Sequence, residues 1–234
     1  MTNRPHPCLS RRRALCLIAV TASGTVLAPA SLARSADELL PGADVCVLTP
    51  ETTEGPYYFD PQLVRRDIAE GRDGVATLLR LQVVDARCRP LPGARVDVWH
   101  CDAQGVYSSY GGSEPGQDSA RGETFLRGTQ FGDERGVVEF ATIYPGWYGG
   151  RTPHIHFKVF VSDSDVLTGQ IFFPDAVSTA IYARMPAYAR TSGRRTTNDG
   201  DFIARRALPA SLATVAEDGG VYLAQAILGV DPAA

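Results

Sequence analysis

The feature that most constrains this chain is a succession of short β-branched and aromatic runs punctuated by Gly, Pro and Asp. The runs are "VATLLRLQVVD" (75–85), "ARVDVWHCD" (94–102), "ETFLRGTQF" (123–131), "GVVEFATIYP" (136–145), "HIHFKVFVS" (154–162), "TGQIFF" (168–173) and "GVYLAQAIL" (220–228). Each is short enough for one strand, and each is bounded by residues that reverse the chain. Such spacing predicts an all-β chain, an antiparallel β-sandwich core with long loops and few short helices, and it disfavours βαβ units. Helical periodicity is weak: "AVSTAIYARMPAY" (176–188) offers a turn or two before Pro186, and "ALPASLATVAED" (207–218) reads as a short turn or loop. No internal repeat divides the chain.

The amino terminus has a different texture. Arg11, Arg12 and Arg13 precede an apolar run that ends in small residues near Ala30, Ala33 and Ala36, the layout of an export signal. Thr21, Ser23, Gly24, Thr25 and Pro29 interrupt the run, which argues against a membrane anchor. The order Ser10-Arg11-Arg12-x-x-Leu15 is similar to a twin-arginine signal, which implies the twin-arginine export machinery as a partner and a passenger folded before transport. The expected organisation is a removable segment 1–36 and one β-sandwich domain over 37–234, with the product exported, periplasmic or secreted.

Loss of the five arginines in that segment would take the formal charge from −3 to −8. A chain so acidic is a poor partner for nucleic acid. Cys46, Cys88 and Cys101 would remain, enough for one disulfide with one thiol left over. Cys101 sits inside a strand run, so Cys46 with Cys88 is the favoured pair.

Function concentrates in "YPGWYGGRTPHIHFKV" (144–159), which holds two tyrosines, one arginine and two of the four histidines. With a side-chain period of two, His154 and His156 share one face of a strand while Ile155, Phe157, Val159 and Val161 take the other. Paired imidazoles on one strand suit a metal. No Asp or Glu lies in the stretch, which disfavours a two-histidine-one-carboxylate site, and the nearby oxygen donors are Tyr144 and Tyr148. Phenolates favour a hard trivalent cation such as ferric iron over zinc. Tyr148 lies in a Pro-Gly-Trp-Tyr-Gly-Gly loop where glycine permits close approach to a ligand, and Arg151 can bring a fixed positive charge; packing and solvation are the ordinary alternatives for both.

"TPETTEGPYY" (49–58), "LPGARVDVWHCDAQGVYS" (91–108) and "YPGWYGGRTPHIHFKV" occur in this order. Together they resemble the intradiol ring-cleaving dioxygenases, the family that includes catechol 1,2-dioxygenases and protocatechuate 3,4-dioxygenases. The resemblance runs from about Thr49 to Phe173, and the Tyr-x2-Arg-x2-His-x-His spacing carries most of it. It implies Tyr107, Tyr148, His154 and His156 as ligands of a mononuclear non-haem iron(III), with Tyr148 displaced when substrate binds. Tyr110 competes with Tyr107 on spacing alone, but the family's Asp-x-x-Gly-x-Tyr pattern, here Asp102, Gly105 and Tyr107, selects Tyr107. It further implies Arg151 and Gln170 as catalytic helpers. The reaction would be cleavage of a catechol-type diol by O2 between the hydroxylated carbons, giving a muconate-type diacid. A homo-oligomer is compatible with the resemblance. The helical amino-terminal domain of catechol 1,2-dioxygenases has no room between Ala36 and Thr49, so a catalytic core alone is expected.

Two other functions compete. Zinc or copper chemistry could use His154, His156 and His100 with an open position, although His100, within a strand motif, reads as structural or surface-facing. A non-enzymatic periplasmic sandwich that binds small ligands is the second, since sandwiches host many functions.

Overall fold

The computed structural model describes residues 47–60, 62–110, 120–162, 164–190 and 195–231. The segment 1–36 expected to act as an export signal, and Cys46, lie outside this range. Among the described residues eight strands form two sheets: β1 (Ala76–Asp85), β2 (Arg95–Trp99), β3 (Arg127–Phe131), β4 (Val137–Ile143), β5 (His154–Val161), β6 (Ser164–Phe172), β7 (Thr214–Asp218) and β8 (Val221–Val230). The sheet orders are β4-β1-β8-β7 and β3-β2-β5-β6. Seven strands fall on the seven runs read from the sequence.

The sheets share one core. From the first come Leu79, Leu81 and Val83 of β1, Val138 and Phe140 of β4, and Ala224 and Leu228 of β8. From the second come Val96 and Val98 of β2, Ile155, Phe157 and Val159 of β5, and Ile171 of β6. These are alternate residues of each strand, so period-two patterning alone aims them inward. Removing each such side chain from water contributes roughly 1.5–3 kcal/mol, which makes this the dominant stabilising layer.

Four features depart from the sequence reading. β8 pairs in parallel with β1, Thr77 opposite Tyr222 through Asp85 opposite Val230, so one non-antiparallel pair joins strands far apart in sequence. β7 is a strand where a turn or loop was expected; it is short, mostly exposed and at a sheet edge, so it carries no apolar alternation to detect. Helix α1 (Asp175–Arg184) runs ten residues, more than the expected turn or two. A second helix, α2 (Phe202–Ala207), follows Asp201, whose carboxylate accepts from the Ile203 and Ala204 amides as an N-cap.

Cys88 and Cys101 are free thiols, so the favoured pairing of Cys88 with Cys46, itself outside the described residues, is not borne out. Cys101 is buried, and burial pushes its thiol well above the usual range, so it behaves as a small apolar residue.

Inside the core, Gly169 of β6 faces Phe157 of β5 across the ladder. A Cβ at position 169 would lie 2.3 Å from the Phe157 ring, so ring and glycine are complementary in volume. Gly169→Ala is expected to lower stability by about 1–3 kcal/mol through overpacking. Urea unfolding of Gly169→Ala, Phe157→Leu and the double variant should show Phe157→Leu recovering part of that loss.

Candidate metal centre

The outer face of the second sheet carries the site. One register row crosses all four strands, with Arg127 opposite Trp99, Trp99 opposite His156, and His156 opposite Gln170. His154 stands two residues from His156 on the same face, and both are buried. Segment 49–60 covers this face: the Thr52 amide donates to Thr168 O at 3.0 Å, and Gln170 Nε2 donates to Thr53 O at 3.0 Å. Glu54 pairs with Lys158 at 2.9 Å.

Two loops bring in the tyrosines. In the first, Asp102 Oδ1 accepts from the Gln104 and Val106 amides at 2.9 Å each, and Oδ2 pairs with Arg72. Gly105 takes φ +84°, a value that suits glycine. That turn delivers Tyr107, so the Asp102, Gly105, Tyr107 spacing has a local cause. The second loop crosses the first closely: a Cβ on Gly146 would stand 2.3 Å from Asp102 O. Glycine at 146 therefore lets Tyr148 approach Tyr107, whose ring centroid is 5.7 Å away.

Three atoms able to ligate a metal stand close to His154 Nε2. Tyr148 Oη and His156 Nε2 each lie 3.2 Å from it, and Tyr107 Oη lies 3.5 Å away. Nitrogen and oxygen ligands held about 2.0–2.2 Å from one shared metal stand roughly 3–3.5 Å from each other. His154 Nδ1 donates to Thr152 O at 2.6 Å, which leaves the Nε2 lone pair directed at the cluster. Trp99 stacks on His156 at 4.9 Å and 12°, and Tyr57 stacks on Tyr107 at 4.2 Å and 16°. Two imidazoles and two phenols thus meet between stacked aromatic rings, a donor set that fits a hard trivalent cation.

Burial governs the protonation states. Desolvation, then the charge of Arg151, lowers His154 to about 3, and desolvation holds His156 well below its usual value. Both imidazoles are neutral and able to ligate at any physiological pH. Desolvation pushes Tyr148 up to about 12, against the lowering pull of Arg151, and raises Tyr107 well above the phenol range. A phenolate here at neutral pH therefore requires a cation.

Arg151 lies along one side of the cluster. Its Nη1 is 3.4 Å from His154 Nε2 and 3.5 Å from Tyr148 Oη, Nη2 donates to Gln170 Oε1, and Nε pairs with Asp201 at 2.8 Å. The six residues singled out in the sequence (Tyr107, Tyr148, Arg151, His154, His156 and Gln170) thus converge in one place. Tyr144 does not join them: it is fully buried in the core, its hydroxyl 2.7 Å from Ser178 Oγ. Tyr110 is partly exposed and donates to Tyr58 O.

His100 is buried, not surface-facing, with Nδ1 2.8 Å from Cys101 O and Nε2 2.8 Å from Thr142 Oγ1. Both nitrogens are engaged, so it supplies no third histidine for zinc. Among the described residues no group of three or more His, Cys, Asp or Glu could hold a metal. Sequence reasoning missed Asp201, Thr152, Trp99 and Tyr57 as site neighbours; Asp201 is fifty residues from Arg151, beyond any local pattern.

The buried imidazoles carry a cost at low pH. Desolvation lowers His100 to about 4, so between its ordinary value near 6.5 and about 4 the unfolded chain binds a proton that the folded chain refuses. Stability of metal-free protein should fall as pH drops through that window, by about 1.4 kcal/mol per pH unit for each such group. Urea midpoints at pH 7, 6, 5 and 4.5 should decline, with a shallower slope in His100→Asn.

Comparisons with known proteins place the chain in a family. The family model described as "Dioxygenase" matches residues 53–182, more than half of the chain. A catechol 1,2-dioxygenase from Pseudomonas sp. (strain EST1001) is 31% identical over 146 residues, covering 53% of this chain and 46% of that one. A hydroxyquinol 1,2-dioxygenase from Corynebacterium glutamicum is 30% identical over 141 residues, covering 53% and 46%. The chain thus spans about half the length of the curated relatives it matches. Among solved structures, an intradiol ring-cleavage dioxygenase from Tetranychus urticae aligns with TM-score 0.73 at 32% identity, covering 81% of this chain and 96% of that one. The matched span contains the sheet row, both tyrosine loops and the His154/His156 strand, and the chain belongs to the intradiol ring-cleaving dioxygenase family.

Proposed function

We propose that this chain is an iron(III)-dependent intradiol dioxygenase that opens a catechol-type diol with O2 between its two hydroxylated carbons. Both oxygen atoms of O2 enter the product, a muconate-type diacid. The convergence of Tyr107, Tyr148 and His156 around His154 Nε2 at 3.2–3.5 Å carries this reading. Catechol and hydroxyquinol 1,2-dioxygenases among the relatives support the substrate class.

Tyr107, Tyr148, His154 and His156 would hold one non-haem iron(III). When bound, ferric iron supplies a Lewis acid that favours the ionised diol and draws electron density from its ring. The protein moves protons and places charge. Tyr148 Oη, ionised while it serves as a ligand, would accept a proton from a diol hydroxyl, and burial, which pushes its pKa up to about 12, favours keeping that proton at neutral pH. Arg151 Nη1 lies beside Tyr148 Oη, where a fixed cation would stabilise negative charge developing on the ring during attack by O2. Gln170 ties Arg151 Nη2 to Thr53 O, so the covering segment and the guanidinium are held together. The Tyr57 and Trp99 rings wall the pocket and keep water from the reacting carbons.

The exported location and the 1–36/37–234 division are part of the same proposal, supported by the arginine-led apolar segment. Amino-terminal sequencing of protein from a periplasmic fraction should find a new terminus near Ala36; an intact Met1 in the cytoplasmic fraction would remove the export reading.

Purified iron-loaded protein should show a visible tyrosinate-to-iron band that shifts when catechol is added without oxygen. Tyr148→Phe should keep iron but change that shift. Arg151→Ala should lower kcat by roughly 10–100-fold with a smaller change in KM. An iron-loaded protein without visible colour would overturn the ligand assignment.

A further inference from the structure

Asp201 takes no part in the ligand set, lies outside the family-model span, and is only 1% exposed. Buried carboxylates are costly unless fully hydrogen-bonded, and this one is. Its Oδ2 accepts from Arg151 Nε at 2.8 Å and from the Thr152 amide at 2.9 Å. Its Oδ1 accepts from the Ile203 and Ala204 amides at 2.8 and 3.2 Å. The same turn adds Asn198, whose Oδ1 accepts from Thr152 Oγ1 at 2.9 Å.

The two Oδ2 bonds reach the site by separate routes. A guanidinium is planar, so anchoring its Nε edge fixes where Nη1 and Nη2 point; here they point at His154 Nε2, Tyr148 Oη and Gln170 Oε1. The Thr152 amide is held by the same oxygen, and the Thr152 carbonyl accepts from His154 Nδ1 at 2.6 Å. One carboxylate therefore anchors both the arginine and the residue whose carbonyl sets the His154 tautomer. The Oδ1 bonds, by contrast, serve only the start of α2.

Resting on the reading of Arg151 as a group that acts on the substrate, we propose that Asp201 is a positioning residue for ring cleavage, aiming the Arg151 guanidinium and the Thr152–His154 contact from the turn before α2. A capping role alone would need only Oδ1. Asp201→Ser separates the two, because serine at an N-cap still accepts from the helix amides but is too short to reach Arg151. Asp201→Glu keeps the charge on a longer arm.

The test uses the iron-loaded enzyme with catechol and O2, and the same variants without metal. Asp201→Ser leaves Arg151 and the Thr152 amide without their acceptor, so it is expected to lower the unfolding midpoint while staying folded at the assay temperature, to lose about tenfold or more in kcat, and to change KM less than threefold. Asp201→Glu should recover part of the kcat. In an Arg151→Ala background Asp201→Ser should cost no more than about twofold, since the group it aims is gone. Independently of turnover, the Arg151 Nε–H signal of metal-free protein should exchange slowly with solvent in the wild type and rapidly in Asp201→Ser. Full kcat in Asp201→Ser, or a loss that repeats undiminished in the Arg151→Ala background, would overturn the proposal. Wild-type protein that cleaves no catechol would refute the proposed reaction while the exchange measurement still decides the anchoring: rapid exchange of the wild-type Nε–H would sink it.

Discussion

A β-strand turns successive side chains to opposite faces, and on β5 that rule governs the rest of the molecule. Ile155, Phe157 and Val159 enter the sandwich core, while His154, His156 and Lys158 are left on the outer face, yet all six are buried. A strand buried on both faces obliges the chain to cover the outer side with something polar enough to satisfy imidazoles and an ammonium. Segment 49–60, the Tyr107 loop and the Tyr148 loop provide the cover. The donor cluster forms where those coverings meet.

Electrostatics in the pocket follow from the same burial. Without water, imidazoles stay neutral and phenols stay protonated, so the site holds lone pairs ready for a cation and protons ready to be displaced by one. Arg151 is the nearest fixed charge, and Asp201 balances it from outside the cluster. Charge compensation by a buried, fully hydrogen-bonded carboxylate keeps that arginine in one orientation instead of letting it swing toward solvent.

Much of the fold and the centre of the site was legible in the sequence. Alternation marked seven strands because each has a core face to satisfy. The His154/His156 pair was legible for the same reason, and Tyr148 for its glycine-flanked loop. Tyr107 was chosen over Tyr110 through resemblance to a family pattern, whose physical basis is the Asp102 turn that accepts from the Gln104 and Val106 amides. β7 was not legible, since an exposed edge strand has no buried face to leave a pattern, and neither was the parallel pairing of β1 with β8, which joins distant segments.

The sequence by itself determined which side chains share a face, where the chain turns, and which residue types could make a hard-cation site, because these depend on local periodicity and backbone preference. Only the tertiary structure decided that Tyr144 belongs to the core, that His100 is sealed between Cys101 O and Thr142 Oγ1, and that Asp201 reaches back fifty positions to hold Arg151. Those outcomes depend on which loops cross and which surfaces exclude water, and such contacts exist only once both sheets have packed.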